Sequence, residues 1–212
     1  RQVALQFLRS EREACELVAE HASGGGCVCW VRNTVRDALR GFDELRAMGI
    51  EAMLFHARFT QYDRNRIEEE VLRHFGKESG EIERAGRVVI ATQVVEQSLD
   101  IDFDEMISDL APIDLLLQRL GRMRRHARSA CGNCLENGKH DQRGAPIFHV
   151  LSPLADASAD ENWLKSELPG TAVVYQRLDQ LWLTAKYLES NPVLRLPDDY
   201  RRAVETVYGK GA

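Results

Sequence analysis

Apolar residues in this chain alternate between two rhythms. Short continuous runs, CVCWV at 27–31, EAMLFHA at 51–57, RVVIAT at 87–92, EMISDLA at 105–111 and IFHVL at 147–151, predict strands covered on both faces, as in a parallel sheet. Between them the spacing changes to that of a helix. Ala14, Leu17, Val18 and Ala22 follow Ser10-x-x-Glu13 and end at Gly24-Gly25-Gly26, a start signal and a stop signal. Ala38, Leu39, Phe42, Leu45 and Met48 follow Thr34-x-x-Asp37 and run to Gly49, and Ile67, Val71 and Phe75 follow Thr60-x-x-Asp63 and run to Gly76. Pro112 sits where it opens a further helix, through IDLLLQRLGRMRR. The first residues, RQVALQFLRSERE, are read as mixed helix. Strands alternating with helices predict an α/β fold with a parallel sheet flanked by helices.

After residue 126 the pattern lapses into a polar, glycine-containing segment, HARSACGNCLENGKHDQRGAP, expected as a surface loop or hairpin. The tail then returns to helical spacing, with Val174, Leu178, Leu181, Trp182, Ala185 and Leu188 on one side and Asp198 placed to cap DYRRAVETVYG. The expected organisation is one α/β domain over residues 1–155 and a helical linker or extension over 156–212. There is no low-complexity tract and no internal repeat.

Composition changes this picture little. The 212 residues are 44% hydrophobic and 29% charged, with a formal net charge of −5, so nucleic acid would be held by local basic groups and not by bulk charge. No stretch reaches the roughly 18 apolar residues of a membrane span, and the N-terminus is no signal peptide, so the expectation is a cytoplasmic protein. Five irregularly spaced cysteines point to reduced thiols. The chain begins with Arg1, which fits a piece of a longer protein.

Two clusters carry candidate chemistry. The strand RVVI empties into ATQVVEQSLDIDFD, a polar and acidic segment at a strand end, where ligands gather in open parallel sheets. The next helix carries Gln118, Arg119, Arg122, Arg124 and Arg125. On a continuous helix, Arg122 and Arg125 share a face, as do Gln118 and Arg122. Paired guanidiniums suit a polyphosphate, while a solvated basic face paired with the preceding acids has the same spacing.

The order of the two clusters resembles motifs V and VI of superfamily two helicases. EQSLDIDFD, SDLAPIDLLLQR and GRMRRH are most similar to the CRISPR-associated helicase-nuclease of type I systems, CVCWVRNTVRDA resembles its motif IV, and LFHARFTQYDR resembles the strand and turn that follow. The tail segments LWLTAKYLE and VETVYG are similar to its linker region. The sequence has neither G-x-x-x-x-G-K-[ST] nor Asp-Glu-x-Asp/His, so the resemblance implies only the second RecA-like domain of a two-domain motor, inactive by itself.

Carried over residue by residue, the resemblance implies that Arg122 and Arg125 are arginine fingers reaching ATP, and that Gln118 couples nucleotide state to domain closure. It implies that Asp100 faces the ribose and the fingers. Asn33, Thr34 and Thr92, joined by His56 and Arg58, would track the phosphates of single-stranded DNA. ATP and Mg2+ would be held mainly by the first RecA-like domain. Further implied partners are the nuclease domain of the same enzyme and a Cascade-type CRISPR surveillance complex.

Other readings of these residues stay open. Asn33 and Thr34 also read as helix caps, His56 as a rim histidine, and Arg119 and Arg124 as structural ion-pair partners. Cys131 and Cys134 have the spacing of half a zinc site, and His140-Asp141 reads as a chance dipeptide. Trp30, Trp163 and Trp182 read as packing residues. For the whole chain the rival functions are an RNA helicase domain and a non-catalytic protein-binding module.

Overall fold

A computed structural model describes residues 1–96, 99–136, 138–156, 159–160 and 162–209; Gln97 and Ser98 of the EQSLDIDFD segment lie outside the described residues. The strands are β1 (Gln2–Leu8), β2 (Val28–Val31), β3 (Ala52–Phe55), β4 (Val88–Ala91), β5 (Glu105–Asp109), β6 (Ile147–Leu151) and β7 (Val193–Arg195). The helices are α1 (Glu11–Ser23), α2 (Val35–Ala47), α3 (Gln61–Phe75), α4 (Glu81–Arg84), α5 (Ile113–Leu120), α6 (Pro169–Val174), α7 (Leu178–Ser190) and α8 (Asp198–Tyr208). The strands form one sheet in the order β3-β4-β2-β5-β6-β1-β7, parallel except for the antiparallel edge pair β1–β7. This is an α/β fold with a mostly parallel sheet flanked by helices, as the periodicity predicted.

The continuous apolar runs are the central strands: every residue of β2, β4 and β5 is buried. The predicted caps form as read. Thr34 and Thr60 each accept a hydrogen bond from the N–H three residues on, at 3.0 and 3.2 Å, and Ser10 does the same from Glu13 at 3.2 Å. Gly25, after the end of α1, has φ +83°, the left-handed conformation that favours glycine.

The structure overturns three sequence expectations about the elements. Residues 2–8 form a strand, not a helix, because pairing with β6 on one side and β7 on the other satisfies their backbone, and burial of Val3 and Leu8 fixes it. The tail is not purely helical, since β7 extends the sheet. Asp198 does not cap α8: Pro197 holds the cap position, and Asp199 accepts a hydrogen bond from Arg195 N at 2.7 Å.

Beneath the strand ends lies a buried polar core that the hydrophobic pattern did not reveal. Residues 99–104 return from the carboxyl end of β4 to the start of β5, and Asp102 on this return is fully buried. Its carboxylate accepts from Arg128 Nε at 2.5 Å, Arg143 Nη1 at 3.1 Å and the Arg125 N–H at 2.7 Å. Asp104 accepts from Arg84 and Arg143, at 2.8 and 2.7 Å, and from the Cys27 N–H at 2.9 Å. Arg128 then spends its remaining N–H groups on the carbonyls of Gly76, Lys77, Ser79 and Gly132. The polar loop of 126–146 is thereby tied to the sheet by charge instead of apolar contact.

Two stability predictions follow from this core. Asp102→Ala leaves buried guanidiniums without their carboxylate and is expected to cost about 3–5 kcal/mol, read as a lowered urea midpoint at unchanged slope. For Asp104, burial alone would raise the carboxyl, but Arg84, the Cys27 N–H and Arg143 outweigh it and bring the pKa to about 2. A carboxyl with a depressed folded pKa stabilises the fold above its unfolded value, and that contribution disappears as pH falls from roughly 4 toward 2. It amounts to about 2 kcal/mol. Equilibrium unfolding of Asp104→Asn should therefore show a flatter acid limb than the parent across that window.

Candidate nucleotide and nucleic-acid face

The register of the sheet brings three strand ends level, with Val31 and Phe55 both opposite Ala91. The residues that follow, Asn33-Thr34, His56-Arg58 and Thr92, therefore emerge side by side on one rim. On this rim their availability differs. Asn33 is 2% exposed and its side chain is fully engaged: Nδ2 donates to Leu110 O at 2.7 Å and to Thr171 Oγ1 at 2.8 Å, while Oδ1 accepts from Arg119 at 3.1 Å. In this arrangement both amide N–H groups of that side chain are spent inside the chain.

Thr34 caps α2 and donates to Asp37 Oδ2 at 2.6 Å. His56 is buried, stacked on Phe59 at 4.1 Å, and accepts from the Arg58 N–H at 3.3 Å. Burial and the Arg58 charge lower its pKa, so it meets the rim as a neutral ring. Arg58 is exposed, and Thr92 sits where β4 turns into the 3-10 turn Gln93–Glu96.

The second cluster forms by a different route from the one its spacing suggested. Helix α5 ends at Leu120, so Arg122 and Arg125 do not share a helical face. Gly121 is the cap residue, Met123 bridges to Phe103, and Arg124 takes φ +47°. The chain thus turns sharply just past the helix, and tertiary contacts bring the two arginines to the same place. Arg122 donates to the carbonyls of Leu99 at 2.9 Å and Glu96 at 3.1 Å. Arg125 pairs with Asp100 at 3.0 Å, and His126 contacts the same carboxylate oxygen at 2.9 Å. Gln118 is exposed on the last turn of α5.

Charges of both signs meet at this corner. Burial lowers the pKa of Arg122, and the nearby charge of Arg125 lowers it further, against the opposing pull of Asp100 and Glu96. Arg125 and Asp100 stay open to solvent, 41% and 49% exposed in their side chains. Such a corner fits an incoming polyphosphate, whose oxygens would relieve the repulsion between the guanidiniums.

Arg119 joins the two clusters. Fully buried, it pairs with Glu96 at 2.7 Å and donates to Ser108 Oγ at 2.9 Å as well as to Asn33. Arg124 likewise pairs with Glu105 at 2.9 Å, so both arginines are structural, as their sequence positions suggested. Sequence reasoning missed the connecting role of Arg119 and the carboxylate Asp109, which receives Arg32 at 3.0 Å and the Asn33 N–H at 3.2 Å. A charged residue inside an apolar strand, SDLA, was the available signal.

The remaining candidates sit apart from this face. Asp141 is held by Arg143 through two guanidinium hydrogen bonds, at 2.9 and 2.6 Å, and one from the Arg143 backbone N–H at 3.0 Å. Cys131 and Cys134 are exposed thiols. Trp30 is core, under the Arg32 guanidinium at 4.4 Å, and Trp163 and Trp182 are half-buried and line one surface cleft. Among the described residues no helix is long and apolar enough to cross a membrane.

Comparison with known proteins bears on the family and the fold. The family described as CRISPR-associated nuclease/helicase Cas3, C-terminal, matches residues 24–128, which contain both clusters. The chain is 36% identical over 201 residues to the CRISPR-associated nuclease/helicase Cas3 of Streptococcus thermophilus, covering 93% of this chain and 19% of that protein. To the CRISPR-associated endonuclease/helicase Cas3 of Escherichia coli K12 it is 34% identical over 194 residues, 88% of this chain and 19% of the relative. It therefore spans about a fifth of the length of these relatives. The crystal structure of T. fusca Cas3-AMPPNP superposes with a TM-score of 0.80 at 27% identity, over 100% of this chain and 24% of the other. A chain of a CRISPR RNA-guided surveillance complex, pre-nicking, superposes at 0.75 with 27% identity, over 100% of this chain and 25% of its own. Similar in sequence across both arginine-bearing loops and in fold across its whole length, this chain belongs to the Cas3-like C-terminal family of CRISPR-associated nuclease/helicases.

Proposed function

We propose that this chain is the C-terminal RecA-like half of an ATP-dependent single-stranded DNA translocase, or helicase, acting in CRISPR type I interference. The observation that carries the reading is the convergence of Arg122, Arg125 and Asp100 on one corner, where Arg125 and Asp100 stay open to solvent. On this reading ATP and Mg2+ sit mainly on the first RecA-like domain, because the sequence here has no phosphate-cradling loop and no magnesium-holding acid pair. When bound, ATP supplies the phosphoryl group whose transfer drives the motor. The residues of this chain supply the rest: Arg122 and Arg125 offset the charge that develops on that group, and Asp100 orients Arg125.

Gln118 reports nucleotide state across the cleft between the two domains. Along the rim, Thr92, Arg58 and the backbone amides at the start of α2 hold the sugar-phosphate strand without reading bases, as translocation over any sequence requires. Asn33 and His56 shape that rim from beneath. Arg119, bonded to Glu96 near the fingers and to Asn33 near the DNA rim, is the rigid link by which closure on nucleotide is passed to the DNA grip. The surveillance complex and the nuclease domain are the partners of the complete enzyme.

ATPase activity of this chain, alone and reunited with its first RecA-like domain, tests the proposal. Turnover is expected only in the reunited sample and only with single-stranded DNA; absence from every folded, associated sample would leave a protein-binding module. Stronger stimulation by RNA would make the motor an RNA helicase. In the reunited motor, Arg122→Ala and Arg125→Ala should each lower kcat by about 10³ while ATP binding persists. Near-normal turnover removes the finger role from that residue. Thr92→Val should raise the DNA concentration needed for half-maximal turnover with little change in thermal stability.

A further inference from the structure

At the start of β5, on the far side of Arg124 from the two candidate fingers, three side chains converge that the motor reading does not use. Glu105 opens β5, and His149 on β6 stands opposite Ile107, two residues along. Alternation along a strand puts Glu105 and His149 on the same face of the sheet. His21, in the last turn of α1, approaches them on that face. One ligand atom from each of the three lies within 4.8 Å of the other two, the one such cluster found among the described residues.

The hydrogen bonding around them is incomplete in a directed way. His149 is 1% exposed, and both of its ring nitrogens are buried without a partner. Glu105 is 8% exposed and uses its oxygens unequally. Oε1 accepts from Arg124 at 2.9 Å, whereas Oε2 is buried, unpartnered and 3.8 Å from His149 Nε2. Buried polar atoms are nearly always satisfied, so orphans on two facing side chains call for a group between them.

We propose that His21, Glu105 and His149 bind a divalent transition-metal ion of the zinc type. Two imidazoles and a carboxylate are a recurrent nitrogen-oxygen ligand set for zinc. Arg124 on the far carboxylate oxygen is the outer partner that orients a ligating carboxylate. The His21 and His149 rings are tilted by 59° and unstacked, with centroids 6.2 Å apart. On one tetrahedral ion, with Zn–N of about 2.0–2.1 Å, two imidazole centroids lie roughly 5 Å apart. Closing the site therefore takes a movement of about 1 Å, available to half-buried His21 at the end of its helix.

A bound ion would staple the end of α1 to β5 and β6. Through Arg124 it would also brace the turn that carries Arg122 and Arg125. The exposed Cys131 and Cys134 are not members of this cluster and serve as the control.

The test is titration of the EDTA-stripped, dialysed chain with Co2+ and then Zn2+, followed by visible absorption, metal analysis and thermal melting. One Co2+ per chain with ligand-field bands of four- or five-coordinate geometry, displaced by Zn2+ and accompanied by a higher Tm, is the expected result. His21→Ala, checked for fold by circular dichroism, should weaken binding by more than about 100-fold, beyond the loss of an outer partner. Glu105→Gln, which keeps shape but loses charge, should also weaken it. Cys131→Ser/Cys134→Ser should bind as the parent does. A parent chain with no saturable ion overturns the proposal, as does binding that survives in His21→Ala and Glu105→Gln or vanishes with the cysteines.

Discussion

A fully buried carboxylate, Asp102, fixes where the arginine-bearing loops of this domain sit. The crossover from β4 to β5 has to pass beneath the rim of the sheet, and a carboxylate there is tolerable only with charged partners around it. Arg128 and Arg143 reach it from the long polar loop, and the Arg125 N–H meets its other oxygen. One negative group therefore sets the path of residues 99–104, the turn after α5 and the anchoring of the loop of 126–146 together. The position of Arg125 is a consequence of this pairing before it is a consequence of any ligand.

The same logic operates nearer the rim. Asp109 and Glu96 are each matched by a fully buried arginine, Arg32 and Arg119. Asn33 is held between Arg119, Leu110 and Thr171. Thr171 comes from α6, so the C-terminal segment is part of the scaffold under the rim formed by the ends of β2, β3 and β4. The ideal Cβ of a residue at Gly170 would lie 2.1 Å from Asp37 Oδ2, which shows how closely α6 packs against the start of α2. Buried polar contacts of this kind break when geometry shifts by a fraction of an ångström, whereas apolar packing yields gradually. They would suit the proposed motor, in which a change at one loop has to arrive at another.

Parallel strands with both faces covered must be apolar throughout, so β2, β4 and β5 were legible as unbroken runs, and the helices between them carried start and stop signals in Thr34, Thr60, Gly49 and Gly76. That Arg122, Arg125 and Asp100 belong to two neighbouring polar clusters was legible too, because both clusters stand out from the apolar runs beside them. Their geometry was not. A spacing of three implies a shared helical face only while the helix continues, and whether it continues past Gly121 depends on Met123 bridging to Phe103, 20 residues earlier in the chain.

What the sequence by itself determined is therefore the local order: which runs are strands, where helices start, and which polar residues follow each strand end. Strand order, the conversion of residues 2–8 from apparent helix to strand, and the addition of β7 were decided by tertiary pairing, since a backbone hydrogen bond to a distant strand leaves no mark on local periodicity. Only the folded chain decided that Asn33 is locked inside, that His56 meets the rim neutral, and that His21, Glu105 and His149 face one another. Each of those outcomes depends on burial and on charges brought in from far along the chain, quantities that a one-dimensional pattern does not carry.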